Sequence, residues 1–281
     1  MLKQKQFYEN DINYRCSTGI GYYCAKKLHQ EGYKVIASCK KKSDVEALTS
    51  QGLTCIQLDL ASNQSIHDGF NRALELCNGQ LDALFNNGAY GQPGAVEDLP
   101  TDALRAQFEV NVFSWHTLTN LALKHMRTRG TGRIIHNSSV LGLVALPYRG
   151  AYNASKFALE GLADTMRMEL SQTQIQVSLI EPGPILSKFR ENALQAFMKN
   201  INVQDSAHAD NYQKQLNRLE SNSTPQAFTL GPDAVYSKLL HALTAKKAKP
   251  RYYVTFPTYL MGYLKRLLST TMLDKILLKN K

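Results

Sequence analysis

Residues 133–156 read RIIHNSSVLGLVALPYRGAYNASK. The run opens on a short apolar segment of strand type, Arg133–Asn137, and closes on the start of a helical pattern, Tyr152–Thr173. The same unit recurs along the chain. Further strand candidates are Lys34–Cys39, Thr54–Leu60, Leu81–Asn86, Gln176–Glu181 and Arg251–Phe256, and helical spacing fills Gly19–Glu31, Asp44–Gln51, Asn63–Cys77, Thr101–Thr128 and Pro232–Ala245. Strict alternation predicts an α/β fold, a single doubly wound parallel-sheet domain over residues 1–281 with helices on both faces. Residues 187–230 are polar and rich in Asn, Gln and Ser, and read as a helical insertion that serves as a substrate lid.

Composition narrows the class. With 281 residues and 43% hydrophobic side chains the chain can bury a substantial core, which excludes disorder as its overall state. The charge of +10 is concentrated at the ends: residues 1–45 carry 9 basic and 4 acidic groups and residues 246–281 carry 9 and 1, around a mildly acidic body. A nucleic-acid binder spreads its cations over one face, so no nucleic-acid partner is expected. Five cysteines, Cys16, Cys24, Cys39, Cys55 and Cys77, form no CxxC pair and have no histidine at zinc spacing, so no metal is expected. Free thiols, no signal-peptide pattern and no apolar run long enough to span a bilayer predict a cytoplasmic protein.

Tyr152 and Lys156 are four residues apart and share one helix face, where an ammonium can stabilise a phenolate and lower the tyrosine pKa. Such a tyrosine exchanges a proton with a carbonyl or alcohol oxygen. Ser139, thirteen residues before Tyr152 and just past a strand, can reach the same oxygen. Alone, Tyr-x-x-x-Lys is more often an ordinary surface pair. Its neighbours change the reading: Asn86-Asn87-Gly88-Ala89 follows a strand, Glu109-Val-Asn111-Val lies in a long helix, and Pro182-Gly183 follows the sixth strand.

In these elements, in this order, the chain from Cys16 to about Leu277 resembles the short-chain dehydrogenase/reductase family, close to retinol and 17β-hydroxysteroid dehydrogenases and bacterial aldehyde reductases. The resemblance implies a Rossmann-type fold and hydride transfer between a nicotinamide and a carbonyl carbon. It implies a catalytic tetrad of Asn111, Ser139, Tyr152 and Lys156. Tyr152 would be general acid in reduction and base in oxidation, Lys156 would tune it and bind the nicotinamide ribose, and Ser139 would polarise the substrate oxygen. Asn111 would anchor a water that resupplies protons. Ser17, Gly19, Ile20 and Gly21 occupy the place of the family's glycine-rich cofactor turn at a helix start, Asp59 and Leu60 would contact adenine, and Asn87, Pro182 and Gly183 would contact the rest of the cofactor. Where NAD-preferring members carry Asp at the end of the second strand, this chain has Cys39 followed by Lys40, Lys41 and Lys42. That pattern favours NADP(H) over NAD(H); a solvated lysine run is the other reading. A lipophilic aldehyde, ketone, retinoid or steroid is the implied substrate class. Tyr90, Leu143 and Tyr148 are candidates to line its pocket, although core packing explains Leu143 as well. A homo-oligomer is implied too.

The N-terminus departs from the family. Phe7–Arg15 stands where an apolar strand should lead into the cofactor turn, and Tyr14 and Arg15 hold the family's Thr and first Gly positions. A central parallel strand is nearly all apolar, so this one should pair poorly and the turn should be strained. One synonymous back-translation of Phe7–Arg15, read from its second base, gives Phe-Met-Lys-Thr-Ile-Leu-Ile-Thr and two bases of a glycine codon. One added base then restores the frame at Cys16. The expectation is a one-base deletion at the Arg15 codon with residues 1–15 out of frame; nucleotide sequence there decides it. Genuine divergence would instead give a cofactor-impaired or non-catalytic protein.

The tail, residues 257–281, carries apolar residues at helical spacing with lysines and arginine between. It reads as a basic amphipathic helix that lies on an anionic membrane, covers the substrate pocket or meets a second subunit.

Overall fold

Seven strands form one all-parallel sheet in the order β3-β2-β1-β4-β5-β6-β7. The computed structural model describes residues 10–13, 16–220 and 228–279. The elements are β1 (Asn10–Asn13), α1 (Gly19–Gln30), β2 (Lys34–Cys39), α2 (Lys42–Thr49), β3 (Thr54–Gln57), α3 (Asn63–Leu76), β4 (Ala83–Asn86), α4 (Thr101–Phe108), α5 (Ser114–Arg129) and β5 (Thr131–Asn137). They continue with α6 (Gly150–Glu169), β6 (Gln174–Glu181), α7 (Phe189–Asn200), α8 (Ala209–Glu220), α9 (Pro232–Thr244), β7 (Arg251–Tyr253), α10 (Phe256–Leu267) and α11 (Thr270–Leu278).

Side-chain alternation along the strands divides the core between the two faces of the sheet. Ile36, Leu84, Ile134 and Leu179 pack with Phe70, Trp115, Leu118 and Leu159 on one face. Val35, Phe85, Ile135 and Ile180 pack with Leu28, Val235 and Leu239 on the other. Each such side chain contributes roughly 1.5–3 kcal/mol by leaving water. Strand order reverses between β1 and β4, and such a switch point leaves a crevice at the strands' C-terminal ends, where ligands bind.

Residues 10–13 overturn the expectation of poor pairing. Their backbone pairs in parallel with β2, Ile12 opposite Ile36, and with β4, Ile12 opposite Leu84. Ladder bonds use N–H and C=O groups that every non-proline residue carries, so a slot between two strands is filled whatever the side chains. Phe7–Glu9, Tyr14 and Arg15 lie outside the described residues. β3 stops at Gln57, short of Leu60, because Asp59 Oδ1 accepts from Ala61 N at 3.0 Å and turns the chain. β7 stops at Tyr253, short of Phe256, because Pro257 sits in the first turn of α10. The long helix expected at 101–128 is interrupted by a π turn, Glu109–Phe113. The tail is two helices, not one: α10 ends at Leu267, and Ser269 Oγ caps the next by accepting from Met272 N at 3.5 Å.

Candidate active site

β5 runs directly into Ser139, which caps a short 3-10 turn, Val140–Gly142. Val140 N donates to Pro182 O at 2.8 Å and Ser138 N to Ile180 O at 2.7 Å, so the segments after β5 and β6 are stitched together. Tyr152 and Lys156, in the first two turns of α6, face these segments. Tyr152 is 9% exposed and Lys156 1%, which makes their pKa values a matter of burial. Burial pushes the Tyr152 phenol up to about 12, against the hydrogen bond from Ser139 and the nearby Arg149 cation. Burial pulls Lys156 down to about 7, with Glu160 opposing. The expected lowering of the Tyr152 pKa is therefore reversed: desolvation of the buried phenol outweighs the Ser139 hydrogen bond and the Arg149 cation. Lys156 Nζ instead donates to Asn137 O at 2.8 Å and sits 4.4 Å from the centre of the Trp115 ring.

Asn111 lies in the π turn, wholly buried. Its Oδ1 accepts from Tyr90 N at 3.2 Å, and its Nδ2 donates to Tyr90 O at 3.0 Å and Ser155 Oγ at 3.2 Å. All three bonds go to protein, so the side chain clamps the segment after β4 to α6. π turns are frequent at functional positions. His136 is buried against Trp115 and Asn86, and burial and then Lys156 pull its pKa down to about 3, which keeps it neutral.

The residues expected at the cofactor gather around the same crevice. Gly19 opens α1 with φ +62°, and a Cβ there would stand 3.1 Å from that of Ser187. Thr18 makes no side-chain cap to α1, and no acidic residue occupies the first turn, so the helix start near Ser17, Ile20 and buried Gly21 suits an anion. Asn87 Oδ1 accepts from Asn137 Nδ2 at 2.8 Å, which connects it to Lys156 through Asn137. Lys40 Nζ lies 3.0 Å from Asp59 Oδ2, both at the C-terminal ends of β2 and β3, while Leu60 is buried. Gly183 packs so tightly on Thr255 that a Cβ would strike its hydroxyl, with the Thr258 hydroxyl 3.2 Å away. These groups fit a nicotinamide dinucleotide, with Gly19 and the α1 start for the pyrophosphate and Lys156 for a ribose.

Tyr148 adopts φ +60° and sends its ring into α8, where its hydroxyl reaches His208 Nδ1 at 3.4 Å and its ring meets Tyr212 edge-on. Tyr90 stays half-buried beside Asn111, and burial raises its phenol pKa. Two residues that sequence reasoning passed over pack on the Tyr152 ring. The Phe189 ring at the start of α7 meets it edge-on at 5.2 Å, and Gly91 makes room: a Cβ there would lie 2.8 Å from Phe189 Cζ and 3.6 Å from Tyr152 Cδ2. Neither belongs to a local pattern, so only the fold could reveal them. Gly91→Ala is expected to cost roughly 1–3 kcal/mol of overpacking strain. It should raise the carbonyl KM several-fold (about 3- to 10-fold, for a part of that strain) with unchanged cofactor affinity, as read by steady-state kinetics and fluorescence titration.

The site and fold define a class, and comparison with known proteins agrees: the profile of the short chain dehydrogenase family matches residues 16–197. The chain belongs to this family, whose members are oxidoreductases that act on alcohol and carbonyl groups with nicotinamide dinucleotides. Over 262 residues it is 40% identical to the uncharacterized oxidoreductase YbbO of Escherichia coli K12, covering 93% of this chain and 91% of that protein. It is also 31% identical to human 17-beta-hydroxysteroid dehydrogenase type 1, over 85% of this chain and 75% of that one. Among solved structures, a short chain dehydrogenase/reductase from Burkholderia phymatum in complex with NAD matches with a TM-score of 0.76 and 23% identity, over 94% and 93% of the two chains.

Proposed function

We propose that the protein is an NADP(H)-dependent reductase of lipophilic aldehydes or ketones, retinoids and steroids included, working in the cytoplasm as a homo-oligomer with its C-terminal tail in contact with a membrane. The observation that carries this reading is Tyr152, buried, hydrogen-bonded to Ser139 and held as a phenol through the neutral range by desolvation. A phenol that keeps its proton is the acid that a reduced carbonyl oxygen requires. The nicotinamide supplies the hydride when bound. Ser139 holds and polarises the substrate oxygen, Tyr152 gives it the proton, and Lys156 restores the proton while holding a ribose. Asn111, through Ser155 and Tyr90, is a positioning residue for α6. Phe189 and Tyr90 wall the substrate side, and the residues from Phe189 to Glu220 cover it as a lid.

NADP(H) is favoured because no carboxylate ends β2 and Lys40, Lys41 and Lys42 follow it, even though Lys40 shares its charge with Asp59. The test is a series of aldehydes and ketones of increasing chain length with NADPH and NADH in parallel. Turnover should rise with chain length and favour NADPH by about tenfold, the worth of one charge-assisted hydrogen bond of ~1.5 kcal/mol. No turnover, with no NADPH binding by fluorescence titration, would instead support the cofactor-impaired reading that rests on Arg15.

A further inference from the structure

α10 is oriented against the usual rule for a surface helix, which buries its apolar stripe and shows its polar side to water. Phe256, Tyr259, Leu260, Tyr263 and Leu267 follow helical spacing, and all point outward, between 39% and 79% exposed. The inward side is built from small residues. Thr258 and Gly262 are buried, and a Cβ on Gly262 would stand 2.6 Å from the ring of Tyr253. The helix is therefore pressed on the body by its small side, with the Tyr259 ring meeting Tyr253 edge-on at 5.4 Å and Leu260, Tyr263 and Leu267 turned to the surface. Phe228, 57% exposed, extends the patch by packing on Phe256 at 5.1 Å between ring centres.

The patch has a position and a charge. The first turn of α10 touches Gly183 through Thr255 and Thr258, and the helix also lies against the turn Val140–Gly142 that follows Ser139. It thus adjoins both segments that flank Tyr152. Arg266 on α10, Lys275 on α11 and Lys279 at the end of α11 are exposed, and Asp274 is the one acidic residue of the two helices. A symmetric contact with a second copy would set that basic patch against itself, whereas an anionic lipid surface complements both the apolar stripe and the cations.

We infer that the outward face of α10, extended by Phe228, docks on an anionic bilayer and holds the mouth of the catalytic crevice against it. This rests on the reading that the crevice takes lipophilic carbonyls, and it names the place they are taken from, the acyl region of the bilayer.

The full chain should sediment with vesicles of phosphatidylcholine mixed with phosphatidylglycerol, less with phosphatidylcholine alone, and less again in high salt, which screens exposed charges. The pair Tyr263→Asp and Leu267→Asp should weaken binding by about tenfold or more. It should leave NADPH-dependent reduction of a short, water-soluble aldehyde in vesicle-free buffer unchanged. Absence of sedimentation with the mixed vesicles overturns the inference, as does binding that the two substitutions leave intact. So does a shift from dimer to monomer on substitution, in sedimentation velocity, with vesicle binding unchanged. Failure of the soluble aldehyde to react in the unsubstituted protein defeats the reductase reading alone, since the vesicle measurement needs no turnover.

Discussion

Replacing Tyr152 by Phe is expected to lower carbonyl reduction by about 10²–10⁴-fold, the usual worth of one positioned proton donor. The substitution removes an oxygen and leaves the rest of the residue's surroundings intact. The ring keeps its edge-on contact with Phe189 at 5.2 Å and its place 5.7 Å from Lys156 Nζ. NADPH affinity and thermal stability should therefore stay close to those of the native protein, and kcat should carry the loss. If Lys156 must carry a proton to resupply Tyr152, reduction by the unsubstituted protein should fall as pH rises through about 7, where Lys156 titrates, because the Tyr152 phenol itself stays protonated to about 12. Turnover within a few-fold of native for Tyr152→Phe would remove Tyr152 from the proposed mechanism.

The second large effect is on stability. Arg251, at the start of β7, reaches three carboxylates: Glu160 and Asp164 on α6 and Glu181 at the end of β6. Glu181 is wholly buried, Glu160 nearly so, and Glu160 also accepts the Ser138 hydroxyl one residue before Ser139. Arg251→Met would leave buried carboxylates without their cation and should cost about 3–5 kcal/mol in unfolding by urea. It should also loosen Ser139 and lower kcat.

Arg167 also holds Asp164, at 2.8 Å, and the two cations still do not offset the burial of Glu181. Burial, and then the Glu160 charge, push Glu181 up to about 8 in spite of Arg251, while Glu160 and Glu181 together hold the Arg251 pKa above its usual range against the cost of burial. The two shifts are consistent: the guanidinium is surplus-paired and the cluster keeps a proton. The folded chain then binds that proton up to about pH 8, whereas an unfolded glutamate releases it near 4.5. This contribution to stability is complete below about 4.5 and is lost as pH rises through 8. Glu181→Gln should flatten that decline in thermal midpoint. A slope as steep as in the unsubstituted protein would assign the proton elsewhere.

Much of this was legible in the chain before folding. Periodicity placed β2, β4, β5, β6 and the helices between them within a few residues, because a buried parallel strand and a half-buried helix each impose a pattern on neighbouring side chains. The spacing of Tyr152 and Lys156 fixed their shared face on α6 for the same reason. The two-helix tail and the π turn at Asn111 were not legible, since both depend on what the helix packs against.

The sequence by itself determined the alternating architecture, the shared helix face of Tyr152 and Lys156, and the basic tail, which follow from local repeat and spacing; the grouping of Asn111 and Ser139 with them came from the family resemblance. Only the tertiary structure decided the chemical state of these groups and their neighbours. Whether Tyr152 is lowered or raised, whether Phe189 rests on it through the gap at Gly91, and whether the apolar side of α10 faces inward or outward are settled by burial and distance between segments far apart in the chain. Desolvation and packing are properties of the assembled surroundings, and no local run of residues encodes them.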